Sequence, residues 1–348
     1  MTRTEGADTE GQARPRAPLG GAAERSAPDR RRNDEPRRRF PPGPWSRFRL
    51  RFEEPAGCEL KDIARAQLLA AIERIEQDSG SSLNEETVHK TRRAITRVRG
   101  LLRLIRPAIG DRVYRAENEH LRDLNRALSG SRDSTVIIET FDKLESKLAR
   151  KAGRAKRAEL AHLRDELDQA LRARDEPSQT PTPAPSDLIA ELRTIAERIP
   201  SWPLGEDGGF ELIAPGFERT YRRARKAMRE AERKQDTESF HEWRKRVKHV
   251  RAQLRLLRDL HSSRVKRLIG VFEDLSDHLG VEHDLDLVDT ALRDLDTRHA
   301  DAAALVRKRI AKRRNKLRRR AFAAAHAGLD RKPKAITRRL ERWWDKNV

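Results

Sequence analysis

Residues 88–106 read VHKTRRAITRVRGLLRLIR, and residues 240–258 read FHEWRKRVKHVRAQLRLLR. Laid over each other without a gap, the two stretches share His89 with His241, Arg92 with Arg244, Val98 with Val250 and Arg99 with Arg251. The match runs on through Leu102 with Leu254, Arg103 with Arg255, and Arg106 with Arg258. A histidine heads each copy, and arginines recur behind it at helical spacing. One basic helical unit used twice points to a site of two-fold character that holds an anion from two sides.

The two faces of the repeated helix differ in chemistry. At roughly 100° per residue, positions 0, +3, +7, +10 and +14 from the histidine fall within an arc of about 80°. These positions are His89, Arg92, Thr96, Arg99 and Arg103, then His241, Arg244, Lys248, Arg251 and Arg255. The opposite arc carries Ile95, Val98, Leu101, Leu102 and Ile105, then Val247, Val250, Leu254 and Leu257, with Trp243 beside them. A cationic stripe therefore backs onto a core-facing stripe. Like charges at i, i+3 and i+4 repel by a few tenths of a kcal/mol per pair. A bound anion relieves that repulsion, and guanidinium forks grip phosphate oxygens two at a time. Each histidine sits near a helix N-terminus, where the dipole also favours an anion. An adjacent phosphate favours the imidazolium, so affinity is expected to rise as pH falls.

The pattern beyond the repeat is helical almost throughout. Apolar residues recur at helical spacing over 60–78. Asn84, followed by Glu85 and Glu86, starts the next helix, and Pro107 is expected to end it near Ile105. Further helices are expected over 112–128, 134–150, 154–174, 217–234, 237–260, 263–279, 283–298, 301–327 and 333–345. Ile199 to Gly216, with three prolines and four glycines, reads as an irregular segment. No stretch alternates in the manner of a strand, so the class is all-α. Residues 1–45, almost without large apolar side chains, read as a disordered basic arm. A first helical half then covers 46–175. The Pro/Thr-rich stretch 176–185 (EPSQTPTPAP at its core) is a linker, and 186–348 forms the second half. Asp123 and Asp274 lie at nearly matching distances behind the two histidines. They read as caps of a following helix, with the orientation of a basic side chain as the alternative.

Composition narrows the partner. The 348 residues carry a formal net charge of +21, and 38% of them are charged. That balance fits a polyanion: nucleic acid, an anionic membrane surface or a phosphate polymer. Aromatic residues, at 5%, are few for a protein that stacks bases on rings. The one cysteine, Cys58, excludes an internal disulfide and a multi-cysteine zinc site, and suits a reducing cytosol. No run of about 18 apolar residues is present to cross a membrane. Two further basic clusters stand out: 219–229, containing Tyr221, Arg222 and Arg225, and 307–320. The first reads as lining an anion channel or facing solvent, the second as solvent-facing or a secondary contact. Neither a Walker-type loop nor a GxGxxG loop occurs, and there is no HExxH. His278, Glu282, His283, Asp284 and Asp286 match no familiar metal-ligand spacing and read as a polar surface turn. Nothing argues for catalysis, a cofactor or a metal.

At the duplicated helices the chain resembles the CHAD family, named for its conserved histidine α-helical domain. The resemblance runs from about Phe52 to Trp344. It rests on VHKTRRAITRVRGLLRLIRP, LSGSRDSTV, TYRRARKAM, FHEWRKRVKHVRAQLRLL, LGVEHDL and RKPKAITRRLERWW. It implies two helical bundles related by a pseudo-two-fold axis, with a basic central pore. It also implies binding of inorganic polyphosphate, often on polyphosphate granules, in the cytoplasm. Carried over, the ligands in the first half are His89, Arg92, Arg97, Arg99 and Arg103, with Arg93 beside them. In the second they are Tyr221, Arg222, Arg225, His241, Arg244, Lys248, Arg251 and Arg255, with Lys245. Thr96 and His249 stand where the family usually has a basic residue. That implies weaker binding in the first half and greater pH sensitivity in the second. Many relatives carry an adjoining triphosphate-cleaving tunnel domain; this chain is expected to be a stand-alone, non-enzymatic binder. The rival readings are a nucleic-acid-binding protein and, less favoured, a phosphohydrolase or accessory subunit of polyphosphate metabolism.

Overall fold

A computed structural model describes residues 48–78, 83–128, 132–175, 183–205 and 208–346. The arm 1–45 and most of the 176–185 linker lie outside the described residues. Within them the chain is all-α. It forms α1 (Ala56–Glu76), α2 (Glu85–Ala127), α3 (Arg132–Ala149), α4 (Arg154–Asp175) and α5 (Pro185–Arg198). Then follow α6 (Ala214–Lys234), α7 (Thr237–Leu256), α8 (Ser262–Asp294), α9 (Ala300–Leu329) and α10 (Pro333–Trp344). The irregular segment expected before α6 contains two short 3-10 turns, Ile199–Ser201 and Phe210–Leu212. No helix is expected from the sequence at α5. Its buried Leu188, Leu192, Ile195 and Ala196 carry the necessary spacing, but the helix is short and sits between a linker and a Pro/Gly-rich loop.

Asn84 caps α2, its side chain accepting from the Thr87 N–H at 2.8 Å. The helix opened at Asn84 runs past Pro107 only as far as Gly110, and the helix expected over 112–128 follows the break there. Proline removes one backbone donor and crowds the preceding turn. The chain answers three residues later, at Gly110, with φ +81° and ψ 157°. That positive φ suits glycine and separates the two helical arms of α2, so the break expected at Pro107 falls three residues later. By contrast, 279–283 forms no turn, and α8 runs unbroken through it. Asp123 and Asp274 consequently lie inside helices and cap nothing.

The duplication shows in the packing. α1 packs on α2 and α5, and α6 packs on α7 and α10, so each repeated hairpin is closed by a third helix. The core faces read from the sequence are all buried: Ile95, Val98, Leu101, Leu102 and Ile105 on α2, and Val247, Val250, Leu254, Leu257 and Trp243 around α7. They join one large hydrophobic core with α1, α5, α6 and α10. A smaller core forms from Phe141 and Leu144 of α3, Leu160 and Leu163 of α4, Leu285 and Val288 of α8, and Val306 and Ile310 of α9. Both cores draw on both halves of the sequence, because the long α8 and α9 extend from one core into the other. Truncating a side chain such as Leu101 to alanine would cost about 2–5 kcal/mol.

Candidate functional site

α2 and α7 meet at a point the repeat itself specifies. Gly100 and Ala252 occupy the same place in the two copies, and a Cβ on Gly100 would lie 3.5 Å from the Ala252 Cβ. Equivalent positions touch each other only on a two-fold axis. Neighbouring pairs pass in opposite senses along the helices. Arg97 lies near Arg255, and Arg103 lies near His249 and Arg246. Under the repeat Arg97 becomes His249 and Arg103 becomes Arg255, so these two meetings are one contact made twice.

The crossing concentrates basic side chains, most of them half-buried. From α2 come Arg93, Arg97, Arg99 and Arg103, and from α7 Arg246, His249, Arg251 and Arg255. Burial first, then Arg93 and Arg255, brings Arg97 down to about 10. Burial first, then Arg103, brings Arg99 down to about 10 as well. Arg103 and Arg251 are lowered chiefly by burial. His249 falls to about 3, from burial and then from Arg103, Arg246 and Arg99. It is therefore neutral in the free protein at neutral pH. Some local partners exist: Arg97 donates to Gln67 Oε1 at 3.0 Å, Arg99 to Asn118 Oδ1 at 3.1 Å, and Arg103 to the Arg99 carbonyl at 2.8 Å.

A cavity opens beside the crossing, lined by Arg103 and Arg106 of α2, Arg219 and Arg223 of α6, and Arg246 and His249 of α7. Tyr114 and Thr220 complete it. The Arg106 guanidinium lies 4.5 Å from the Tyr114 ring centre. At the edges Asp111 holds Arg106 at 2.6 Å, and Glu242 pairs with Arg246. The charged neighbours of Arg103 and Arg223 are other arginines, with the Tyr114 hydroxyl. Gly216 lets α6 come this close: a Cβ there would sit 1.7 Å from the Leu104 carbonyl oxygen of α2.

The other site candidates lie elsewhere. His89 and His241 are each eleven residues upstream of the crossing on oppositely directed helices. His241 is half-buried, with its Nδ1 3.3 Å from the His283 Nδ1. Arg244, Lys245 and Lys248 surround this pair, and His283 falls to about 3 from burial and then from Arg244. Arg92 and His89 are half-buried on the same face of α2. Tyr221, expected among the ligands, lies inside the fold. It is fully buried in the core, donates to the Gly328 carbonyl at 2.9 Å, and burial raises it to about 12. No surface ligand reaches it. Arg222 pairs with Glu218, and Arg225 donates to the Asp330 carbonyl at 3.1 Å. The basic α6 residues that face the cavity are Arg219 and Arg223, one turn apart. Arg246, also in the cavity, was missed because it lies off the +3/+7 stripe; the α6–α7 packing turns it inward.

Two further expectations change. Glu282 and Asp286 are buried rather than part of a surface turn, and arginines from the 307–320 cluster engage them. Arg314 and Arg318 both reach Glu282 at 2.9 Å, and Arg314 lies 2.8 Å from Asp286. Arg307 pairs with Asp289 at 3.1 Å. Among the described residues no group of three or more His, Cys, Asp or Glu is placed to hold a metal ion.

The architecture is an internally duplicated all-α protein whose repeated helices cross at a cationic centre. The family model for the CHAD domain matches residues 63–293, and the chain belongs to that family. The crystal structure of the CHAD domain from the plant Ricinus communis shares the fold, with a TM-score of 0.50 and 21% identity. The match covers 80% of this chain and 92% of that one. No curated protein matches the sequence. No described helix is long and apolar enough to cross a membrane.

Proposed function

We propose that the chain binds inorganic polyphosphate, without transforming it, at the crossing of α2 and α7. The observation that carries this reading is the cavity of Arg103, Arg106, Arg219, Arg223, Arg246 and His249, in which the charged neighbours of Arg103 and Arg223 are chiefly other arginines. Half-buried guanidinium groups in mutual repulsion gain most from a ligand with a charge on every unit and no bulky base. Polyphosphate is such a ligand, and its flexible chain follows a narrow basic pore more easily than a stiff duplex does. The family's link to polyphosphate supports the same choice, as does the sequence resemblance that implies residence on cytoplasmic granules.

Competition tests the choice of polyanion. Long-chain polyphosphate at moderate salt should displace a labelled DNA duplex, and the duplex should fail to displace polyphosphate. Overnight incubation of the protein with polyphosphate and magnesium should release no orthophosphate. Displacement in the opposite order would favour the nucleic-acid reading, and steady phosphate release would restore an enzymatic one.

A further inference from the structure

The cavity beside the crossing has a counterpart generated by the repeat. A second groove is lined by Arg97, Arg255, Arg258, Lys266, Glu273 and Phe48, with Ile269. Moved by the repeat, Arg103 becomes Arg255, Arg106 becomes Arg258, Tyr114 becomes Lys266, and His249 becomes Arg97. Four lining positions of the first cavity thus reappear in the second. The two are the same pocket built twice, on either side of the axis at Gly100 and Ala252.

The copies are not chemically equal. In the first, α6 contributes Arg219 and Arg223, and no carboxylate lines the wall. In the second, Glu273 lies in the wall and takes both Nε, at 3.0 Å, and Nη2 of Arg255. Residues 48–53 close its side as a strap. The Phe48 ring centre lies 5.7 Å from the Arg97 guanidinium. Arg49 pairs with Asp259 at 3.0 Å, and the Leu50 N–H donates to the Leu256 carbonyl at 2.9 Å. Phe52 has a φ of 64°. It is held there by the Glu59 carboxylate, which accepts from the Arg51, Phe52 and Glu53 N–H groups, and by an edge-on contact with Trp344 at 4.9 Å. Bound at both ends, the strap keeps Phe48 over the groove.

We infer that the protein carries two unequal subsites for condensed phosphate: an open one at Arg103, Arg223 and Arg246, and a repeat-related one at Arg97, Arg255 and Lys266 that Glu273 and Phe48 hold weak. The inference rests on the polyphosphate reading and adds to it the residues that set how many phosphate segments bind tightly. A carboxylate that already occupies the Arg255 fork competes with the incoming phosphate and repels it. Phe48 must yield before the phosphate reaches Arg97.

Calorimetric titration of the full chain with inorganic tripolyphosphate, which is short enough for one subsite, tests this. The wild type should show one tight site per chain. Glu273→Gln, which keeps the side-chain volume, should tighten the second site by about tenfold, and adding Phe48→Ala should bring the stoichiometry to two. Glu273→Gln alone carries the test if the strap variant misfolds. Two equal tight sites in the wild type, or one site unchanged in both variants, would overturn the inference while leaving polyphosphate binding intact. No tripolyphosphate and no long-chain polyphosphate binding in the wild type would remove the functional reading and the inference together.

Discussion

Tyr221→Phe separates packing from ligand contact at a single hydroxyl. The substitution leaves the Gly328 carbonyl without its donor inside the core, which is expected to cost about 1–2 kcal/mol of stability in a denaturant titration. Polyphosphate affinity should not change, because the ring never meets solvent. His249 gives a pH prediction of definite sign. Its folded value near 3 lies below the ordinary 6.5, so between those values the unfolded chain holds a proton that the folded chain does not. Its contribution to stability is therefore full above about pH 6.5 and is lost as the pH falls toward 3. His283 acts in the same direction. The melting temperature should drop between about pH 7 and about pH 4, and His249→Gln should flatten that profile. An unchanged profile would mean that His249 is not buried among the arginines. At this scale the sequence was legible where side chains lie on the repeated stripe: Arg99, Arg103, Arg251 and Arg255 reach the crossing. It was not legible for Tyr221, because a tyrosine among arginines looks the same from sequence whether it faces the ligand or the core.

Among the elements, α6 is the most sensitive to a single atom. Gly216→Ala would drive a methyl into the Leu104 carbonyl, forcing α6 away from α2. A loss of about 1–3 kcal/mol is expected, along with weaker polyphosphate binding as Arg219 and Arg223 retreat from the cavity. Glu282 ties α8 to α9 through Arg314 and Arg318, and Arg314 also reaches Thr237 at the start of α7 at 3.0 Å. Glu282→Ala removes a shared carboxylate, leaving Arg314 with Asp286 and Arg318 with the Gln235 carbonyl, and should cost about 1–3 kcal/mol by thermal or chemical unfolding. A cost near zero would mean that water already solvates them. A control for diffuse charge on α9 therefore belongs at the exposed Lys312, Arg319 and Arg320 rather than at Arg314. Most helices could be read from apolar spacing alone. The break near Pro107 is present at Gly110; the departures are α5, between a linker and a Pro/Gly-rich loop, and Gly280, where burial of Leu279 and Leu285 carries α8 through. At Gly280 tertiary packing outweighs a local breaker.

For the whole molecule, duplication predicts where charge gathers. Register alone placed like residues opposite each other, yet it could not reveal that the two helices run oppositely. His89 and His241 each lie eleven residues upstream of the crossing. The cationic band between them suits a ligand that is long, flexible and charged along its length. Binding should weaken with salt as counterions are displaced, and Arg103→Gln with Arg223→Gln should lower the slope of log affinity against log salt. The most direct test measures the affinity of long-chain polyphosphate and of a DNA duplex across a salt series, for the wild type and for this double variant. The account predicts that the wild type prefers polyphosphate at every salt concentration. The variant should lose most of that preference while keeping its helical circular dichroism. Equal affinity for both polymers in the wild type, or a preference untouched in the variant, would contradict it.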